Sequence, residues 1–147
     1  MAIQGDPAFI RWRLHLRSKP DAVYRLLATP QGRKRFWAES APELDGEILF
    51  TFVNGQKLVS RVLESTPPHR FSLTYFSGSH VTIELIPDGA GGTDLTLTEW
   101  NVPEEDRLEN VAGWVSVLLN LKAAADFDVD LRNRDPERGW YDGYVDV

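Results

Sequence analysis

Hydrophobic and polar positions change period several times along this chain, and each change marks an element. Residues 8–17, AFIRWRLHLR, alternate: Ile10, Trp12, Leu14 and Leu16 share one face, and Arg11, Arg13, His15 and Arg17 share the other. Period two with β-forming residues predicts a half-buried antiparallel strand with a solvated basic side. SKPDAVYRLLATP then predicts a helix. Ser18 is placed to cap it, Pro20 suits its first turn, and Asp21 meets the positive end of its dipole. Val23, Leu26 and Leu27 give it an apolar stripe, and Pro30 ends it. QGRKRFW reads as a second short helix with Phe36 and Trp37 at its end.

From Glu47 the period returns to two. EILFTF meets QKLVSRVLES across Val53-Asn54-Gly55, where the Asn-Gly pair suits two positive-φ turn positions. RFSLTYF and HVTIELI are joined by Ser77-Gly78-Ser79, and TDLTLTEW follows PDGAGG. Five strands in succession predict a meander. The last periodic element runs from about Pro103 to Asp126, with Glu104, Glu105 and Asp106 at its dipole-positive start. On a wheel of about 100° per residue, Leu108, Val111, Trp114, Val115, Leu118, Leu119 and Leu121 make a broad apolar arc. That arc is expected to lie on the sheet. Asp106, Glu109, Asn110, Gly113, Ser116 and Asn120 form the opposite stripe, expected in solvent.

Segregated helices and a run of strands define an α+β class. The expected architecture is a curved antiparallel sheet of six to seven strands wrapped on a long C-terminal helix, with two short helices after the first strand. KPDAVYRLLATPQGRKRFW, GTDLTLTEW and VAGWVSVLLNLKA resemble the SRPBCC superfamily, with its START-like, helix-grip fold. Within it they are most similar to the bacterial proteins related to the activator of heat-shock-protein-90 ATPase. The resemblance runs from Phe9 to the C-terminus. It implies a single domain over residues 1–147, with 127–147 a tail packed on the body. Members of the superfamily bind lipids, sterols or hormones, cyclise polyketides, or assist a chaperone, so the fold alone does not choose among these roles.

Composition narrows the field. A length of 147 residues fits one domain of about 100–200 residues. The absence of cysteine excludes disulfides, thiolate metal sites and a cysteine nucleophile. A net charge of −6 argues against nucleic acid, whose phosphates require a dominant basic surface. No apolar run approaches the ~20 residues of a membrane span, and no signal-peptide core is present, so a cytoplasmic location is expected.

A sheet gripping a long helix often leaves the space between them incompletely filled. Phe36, Trp37, Phe50, Phe52, Tyr75, Ile83, Leu97, Glu99, Trp114 and Leu118 are the candidate lining residues. The rings either pack solid as core or border a pocket for a hydrophobic or amphipathic small molecule, and the resemblance favours the pocket. Catalytic signals are sparse. His15, His69 and His80 do not group, and no G-x-S-x-G, H-E-x-x-H or P-loop spacing occurs. His80 and Glu84 share one strand face; Glu99 shares another with Leu95 and Leu97, so its carboxylate is a candidate inward acid or base. The simpler expectation puts Glu99 at the sheet rim or against Arg61. No catalytic residue or cofactor is assigned. A polyketide cyclase/dehydratase-like enzyme and a chaperone-ATPase-activating module remain the alternatives, both from the resemblance.

DFDVDLRNRDPE, residues 126–137, has the acidic spacing of an EF-hand loop at Asp126, Asp128, Asp130 and Glu137. Its sixth position is Leu131 instead of glycine, its eighth is Asn133, and Pro136 precedes the glutamate. No metal is therefore assigned. The aspartates are expected to unwind the long helix at its negative end. Leu131, Trp140, Tyr141 and Tyr144 are expected to dock the tail across one end of the cavity.

Overall fold

The computed structural model describes Asp6 and residues 8–147. The first strand, β1 (Phe9–Leu16), is followed by two short helices, α1 (Pro20–Ala28) and α2 (Pro30–Lys34). Six strands come next: β2 (Glu43–Leu44), β3 (Glu47–Thr51), β4 (Lys57–Thr66), β5 (Arg70–Thr74), β6 (His80–Pro87) and β7 (Thr93–Trp100). The long helix α3 (Arg107–Phe127) closes the fold, followed by the tail. The seven strands form one antiparallel sheet in the order β1-β7-β6-β5-β4-β3-β2. The meander is sequential, and β1 reaches the far edge by pairing with β7 from Phe9↔Trp100 to Leu16↔Thr93. Strand β2 is too short to carry a readable alternation and is absent from the sequence expectation.

Alternation puts Ile10, Leu16, Ile48, Phe50, Phe71, Leu73, Val81, Ile83, Leu85, Leu95 and Leu97 on the inner face, all buried. Arg13 and His15 stand exposed on the outer face, as the period of β1 predicts. The β3–β4 connection differs from expectation: Asn54 keeps a negative φ and only Gly55 is left-handed, at φ 87°. A turn closed by Gly55 N–H donating to Phe52 O, with Gln56 N–H donating to Asn54 Oδ1, replaces the tight two-residue turn. Strand β5 ends at Thr74, before Tyr75 and Phe76.

The helices after β1 also depart in detail. Pro30 starts α2 instead of merely ending α1, with Thr29 Oγ1 accepting from Gly32 N–H as cap. Ser18 does not cap α1. Its hydroxyl lies between Ala125 O and the Asp126 carboxylate at the far end of α3. Gly32 allows α2 to lie against α1, since a Cβ there would sit 2.4 Å from Arg25 O and Leu26 Cα. Beside it Arg33 is fully buried. Its guanidinium donates twice to Ala41 O and once to Leu27 O, with Glu43 3.7 Å away. Burial lowers its pKa and Glu43 partly offsets this. The charge is tolerated because carbonyls fill its donor fork, and it ties both helices to the strand that follows.

The largest correction concerns α3. Trp114, Leu118, Leu121 and Ala124 are buried, but Leu108 is 84% exposed, and Val115 and Leu119 are also exposed. The helix is turned so that the polar stripe of Asn110, Gly113, Ser116 and Asn120 leaves solvent, and Asn120 is buried. An apolar ridge of Leu108, Ala112, Val115 and Leu119 faces outward instead. At its other end Asp126 does not unwind the helix. Its carboxylate accepts Arg17 N–H at 2.9 Å, Ser18 N–H at 3.0 Å and the Ser18 hydroxyl at 2.8 Å. The helix stops at left-handed Asp128, φ 54°, whose N–H reaches Ala123 O.

Two outcomes follow from this packing. Gly32→Ala is expected to cost about 1–3 kcal/mol by forcing α1 and α2 apart, read as a lower urea midpoint. Burial pushes the Asp126 carboxyl upward, but the N–H and hydroxyl donors of Arg17 and Ser18, with Lys122 nearby, outweigh it and hold the group below the ordinary carboxylate range. A depressed folded pKa stabilises above the unfolded value of about 3.9 and loses that contribution as pH falls through the folded value. Asp126→Asn is therefore expected to lower the urea midpoint at pH 7 and to shrink the difference between pH 7 and pH 3.

Candidate functional site

Between the β3–β4 turn, the β5–β6 turn, the first half of α3 and the tail lies a cavity of about 330 Å³. One part of its wall is aromatic, from Trp37, Phe52, Tyr75, Phe76, Trp114, Trp140 and Tyr141; polar and charged side chains make up much of the rest. The positions follow from local structure. Trp37 comes just after α2, where the chain turns back toward the sheet. Tyr75 and Phe76 enter the turn between β5 and β6, where left-handed Ser77 and Gly78, φ 56° and 78°, reverse the chain. Phe52 continues past the end of β3.

The rings form one connected box. Tyr75 stacks on Trp114 with centroids 4.9 Å apart at 28°, and Trp37 lies 6.2 Å from each. Trp37 Nε1–H donates to Tyr75 Oη at 3.2 Å. Burial raises the Tyr75 pKa; the Trp37 hydrogen bond opposes this and the Glu99 charge adds to it, so the phenol stays protonated.

Behind this box is Glu99, fully buried on β7. Oε1 accepts Trp114 Nε1–H at 2.7 Å, Oε2 accepts the Ser79 hydroxyl at 2.6 Å, and Asn110 Nδ2 lies 3.3 Å from both oxygens. Every partner is a donor, so the geometry fits the ionised carboxylate, and none is a cation. This overturns the rim or Arg61 placement: Arg61 is exposed on β4, registered opposite Glu47. Glu99 itself does not border the cavity; Trp114 and Asn110, which do, stand between. His80 stacks on Trp100, and Glu84 pairs with Arg70 at 3.4 Å on the outer sheet face. His80, Glu84 and Glu99 therefore do not converge on one reacting centre.

Of the ten candidate lining residues, Trp37, Phe52, Tyr75 and Trp114 border the cavity. Phe36, Phe50, Ile83, Leu97 and Leu118 are buried core around it; Phe50, for example, packs between Trp37 and Phe52. Sequence reasoning missed Phe76, Asn110, Gly113 and Ser116, and the charged Glu39, Arg132 and Arg134. The signal for three of them was the polar stripe on α3, assigned to solvent.

The tail forms the roof. Arg132 donates to Ala38 O at 3.1 Å and Lys34 O at 2.8 Å, and Arg134 makes a two-bond pair with Glu39 at 2.9 and 2.7 Å. The Arg134 hydrogen bonds hold the Glu39 carboxyl below its usual range against the effect of burial. Ser116 Oγ donates to Val145 O, Asn120 Nδ2 donates to Val147 O, and Trp140 Nε1–H reaches Glu109 at 3.0 Å. The expected apolar anchors do otherwise: Leu131, Tyr141 and Tyr144 are exposed, and Trp140, half-buried, turns in beside Tyr141 at the rim of the cavity. The reason is chemical. The surface that α3 offers the tail is its polar stripe, so polar groups make the attachment. The acidic run is divided among separate partners: Asp126 on the β1–α1 turn, Asp128 on Arg35, Asp130 on Arg132 and Arg134. Among the described residues no three His, Asp or Glu side chains converge to hold a metal ion.

A curved antiparallel sheet closed on a long helix over such a cavity defines a helix-grip protein of the SRPBCC type. More narrowly, residues 17–126 match the family described as activator of Hsp90 ATPase homolog 1-like protein, and the chain belongs to that family. No curated protein matches the sequence. Among solved structures, the Aha1 dimer from Colwellia psychrerythraea is 21% identical, with 81% of this chain and 96% of that chain covered at a TM-score of 0.72. A Chromobacterium violaceum protein is 28% identical, covering 82% and 99%, TM-score 0.66. The AHSA1-like protein from Aeromonas hydrophila is 18% identical, covering 78% and 89%, TM-score 0.68.

Replacing Glu99 with glutamine sets an amide NH₂ against donors and leaves at least one of them unpaired. We expect a loss of about 1–3 kcal/mol in urea unfolding, with a change in tryptophan emission from Trp114.

Proposed function

We propose that this chain is a cytoplasmic binding protein that holds a hydrophobic or amphipathic small molecule in the aromatic cavity beneath its tail. One observation carries the reading. Where Trp37, Phe52, Tyr75, Phe76 and Trp114 meet, at the edge of the core, a partly open cleft of about 330 Å³ enters the molecule. That volume lies at the lower end of small-molecule sites. Gly113 contributes to the opening: a Cβ there would touch nothing within 4 Å.

Among the described residues no helix is long and apolar enough to cross a membrane. The enzyme alternative has lost its constellation, since Glu99 is sealed behind Trp114 and His80 and Glu84 lie elsewhere. The chaperone-activator alternative rests on the family's name. The cavity therefore carries the proposal.

The test is Gly113→Leu. The side chain fills the space, and removing a helix-interior glycine favours the helix by roughly 0.5–1 kcal/mol. The wild-type protein is expected to bind the neutral dye N-phenyl-1-naphthylamine with enhanced emission. The variant should lose the dye while keeping or raising its melting temperature. Native mass spectrometry of freshly purified protein should show a small-molecule adduct on the wild type alone. Equal dye binding by the filled variant overturns the reading.

A further inference from the structure

We infer that the cavity selects an organic cation, a quaternary or protonated amine carried on an apolar body, and excludes anionic amphiphiles. This rests on the cavity being the binding site. Three independent features of its surroundings point the same way.

The first is the kind of apolar wall. A neutral hydrocarbon is accommodated equally by aliphatic side chains, but the large apolar side chains of this wall are almost all aromatic, and ring faces carry negative potential. Tyr75 and Trp114 are stacked, Trp37 adjoins both, and Phe76 and Trp140 flank them.

The second is Glu99. It is a fully buried carboxylate whose partners, Trp114, Ser79 and Asn110, are all neutral. Its charge is spread over hydrogen bonds but not cancelled, and its field acts through low-dielectric protein. It also accepts the Trp114 N–H at 2.7 Å, which places electron density on the indole whose ring helps to wall the cavity. A cation in the cavity beside the stacked Tyr75–Trp114 pair lies within the field of the carboxylate at the indole's edge.

The third is the balance of charge at the rim. Arg132 and Arg134 border the cavity, but both are already matched. Arg134 holds both oxygens of Glu39, and Arg132 holds Asp130 and two backbone carbonyls. On the α3 side, Asp106 makes no side-chain hydrogen bond among the described residues. Glu109, one turn further on, accepts the neutral Trp140 N–H. The lining carboxylates Glu39, Asp106 and Glu109 outnumber the guanidinium groups of Arg132 and Arg134, both of which are already paired, so a carboxylate or sulfate ligand meets net negative charge.

The experiment compares three probes: benzyltrimethylammonium, its carbon isostere neopentylbenzene, and 4-phenylbutyrate. Each is titrated against the dye-loaded full chain at low salt. The ammonium is expected to bind at least about tenfold more tightly than the isostere, with the anion weakest. Asp106→Asn combined with Glu109→Gln should weaken the ammonium severalfold and leave the isostere unchanged. Both side chains lie at the rim, and the amide oxygen introduced at position 109 can still accept the Trp140 N–H. Glu99→Gln should remove most of the remaining preference. Equal or tighter binding of the isostere, or tighter binding of the anion, overturns the inference and leaves the cavity reading standing. Dye binding with no displacement by any probe also overturns it. Failure to bind the dye at all removes the cavity reading, and this inference with it.

Discussion

The carboxylate of Glu99 needs donors, and the structure is arranged to bring them. A buried charge without a counter-ion is tolerated only when its lone pairs are filled, and here the donors come from the β5–β6 turn and from α3. Asn110 and Trp114 can both reach β7 only if α3 presents that side to the sheet. The helix is thereby locked in rotation. Its apolar ridge of Leu108, Val115 and Leu119 is forced outward, and Gly113, Ser116 and Asn120 are brought under the tail. One polar constraint thus outranks the burial of three large aliphatic side chains. Magnitudes agree with that order, since a buried unpaired charge costs several kcal/mol while each exposed aliphatic forgoes roughly 1.5–3.

The rotation also explains why a cavity exists and how it is covered. A leucine-faced helix would have met the sheet with bulk. A glycine and two small polar residues leave room and supply hydrogen-bonding groups. The tail is fastened by arginines to carbonyls and a carboxylate at one side and by hydroxyl and amide groups of α3 at the other. Polar fastenings of this kind are directional and depend on ionic strength, unlike an apolar seam.

Most of the fold was legible in alternation and punctuation. Period two located β1 and the longer meander strands; Pro103 with its acidic followers located a 3-10 turn, Glu104–Asp106, that leads into α3 at Arg107. The rotation of α3 was not legible, because apolar residues occur on nearly every side of that helix and Glu99 stands far away in sequence. The aromatic supply of the cavity was readable at Trp37, Phe52, Tyr75 and Trp114. Phe50 and Phe36 look the same in sequence but sit one layer deeper, a difference fixed by where β3 and α2 end. The EF-hand-like spacing arose because three aspartates each answer a different part of the chain: the β1–α1 turn, Arg35, and the tail's own arginines.

The family match ends at Asp126, and the roof of the cavity begins just beyond it. Walls and floor lie within the matched region, and their rings and Glu99 are also core; Arg132, Arg134 and Trp140 lie beyond it. The last twenty residues thus reshape the rim of the cavity, while the gripped helix and its sheet set its walls.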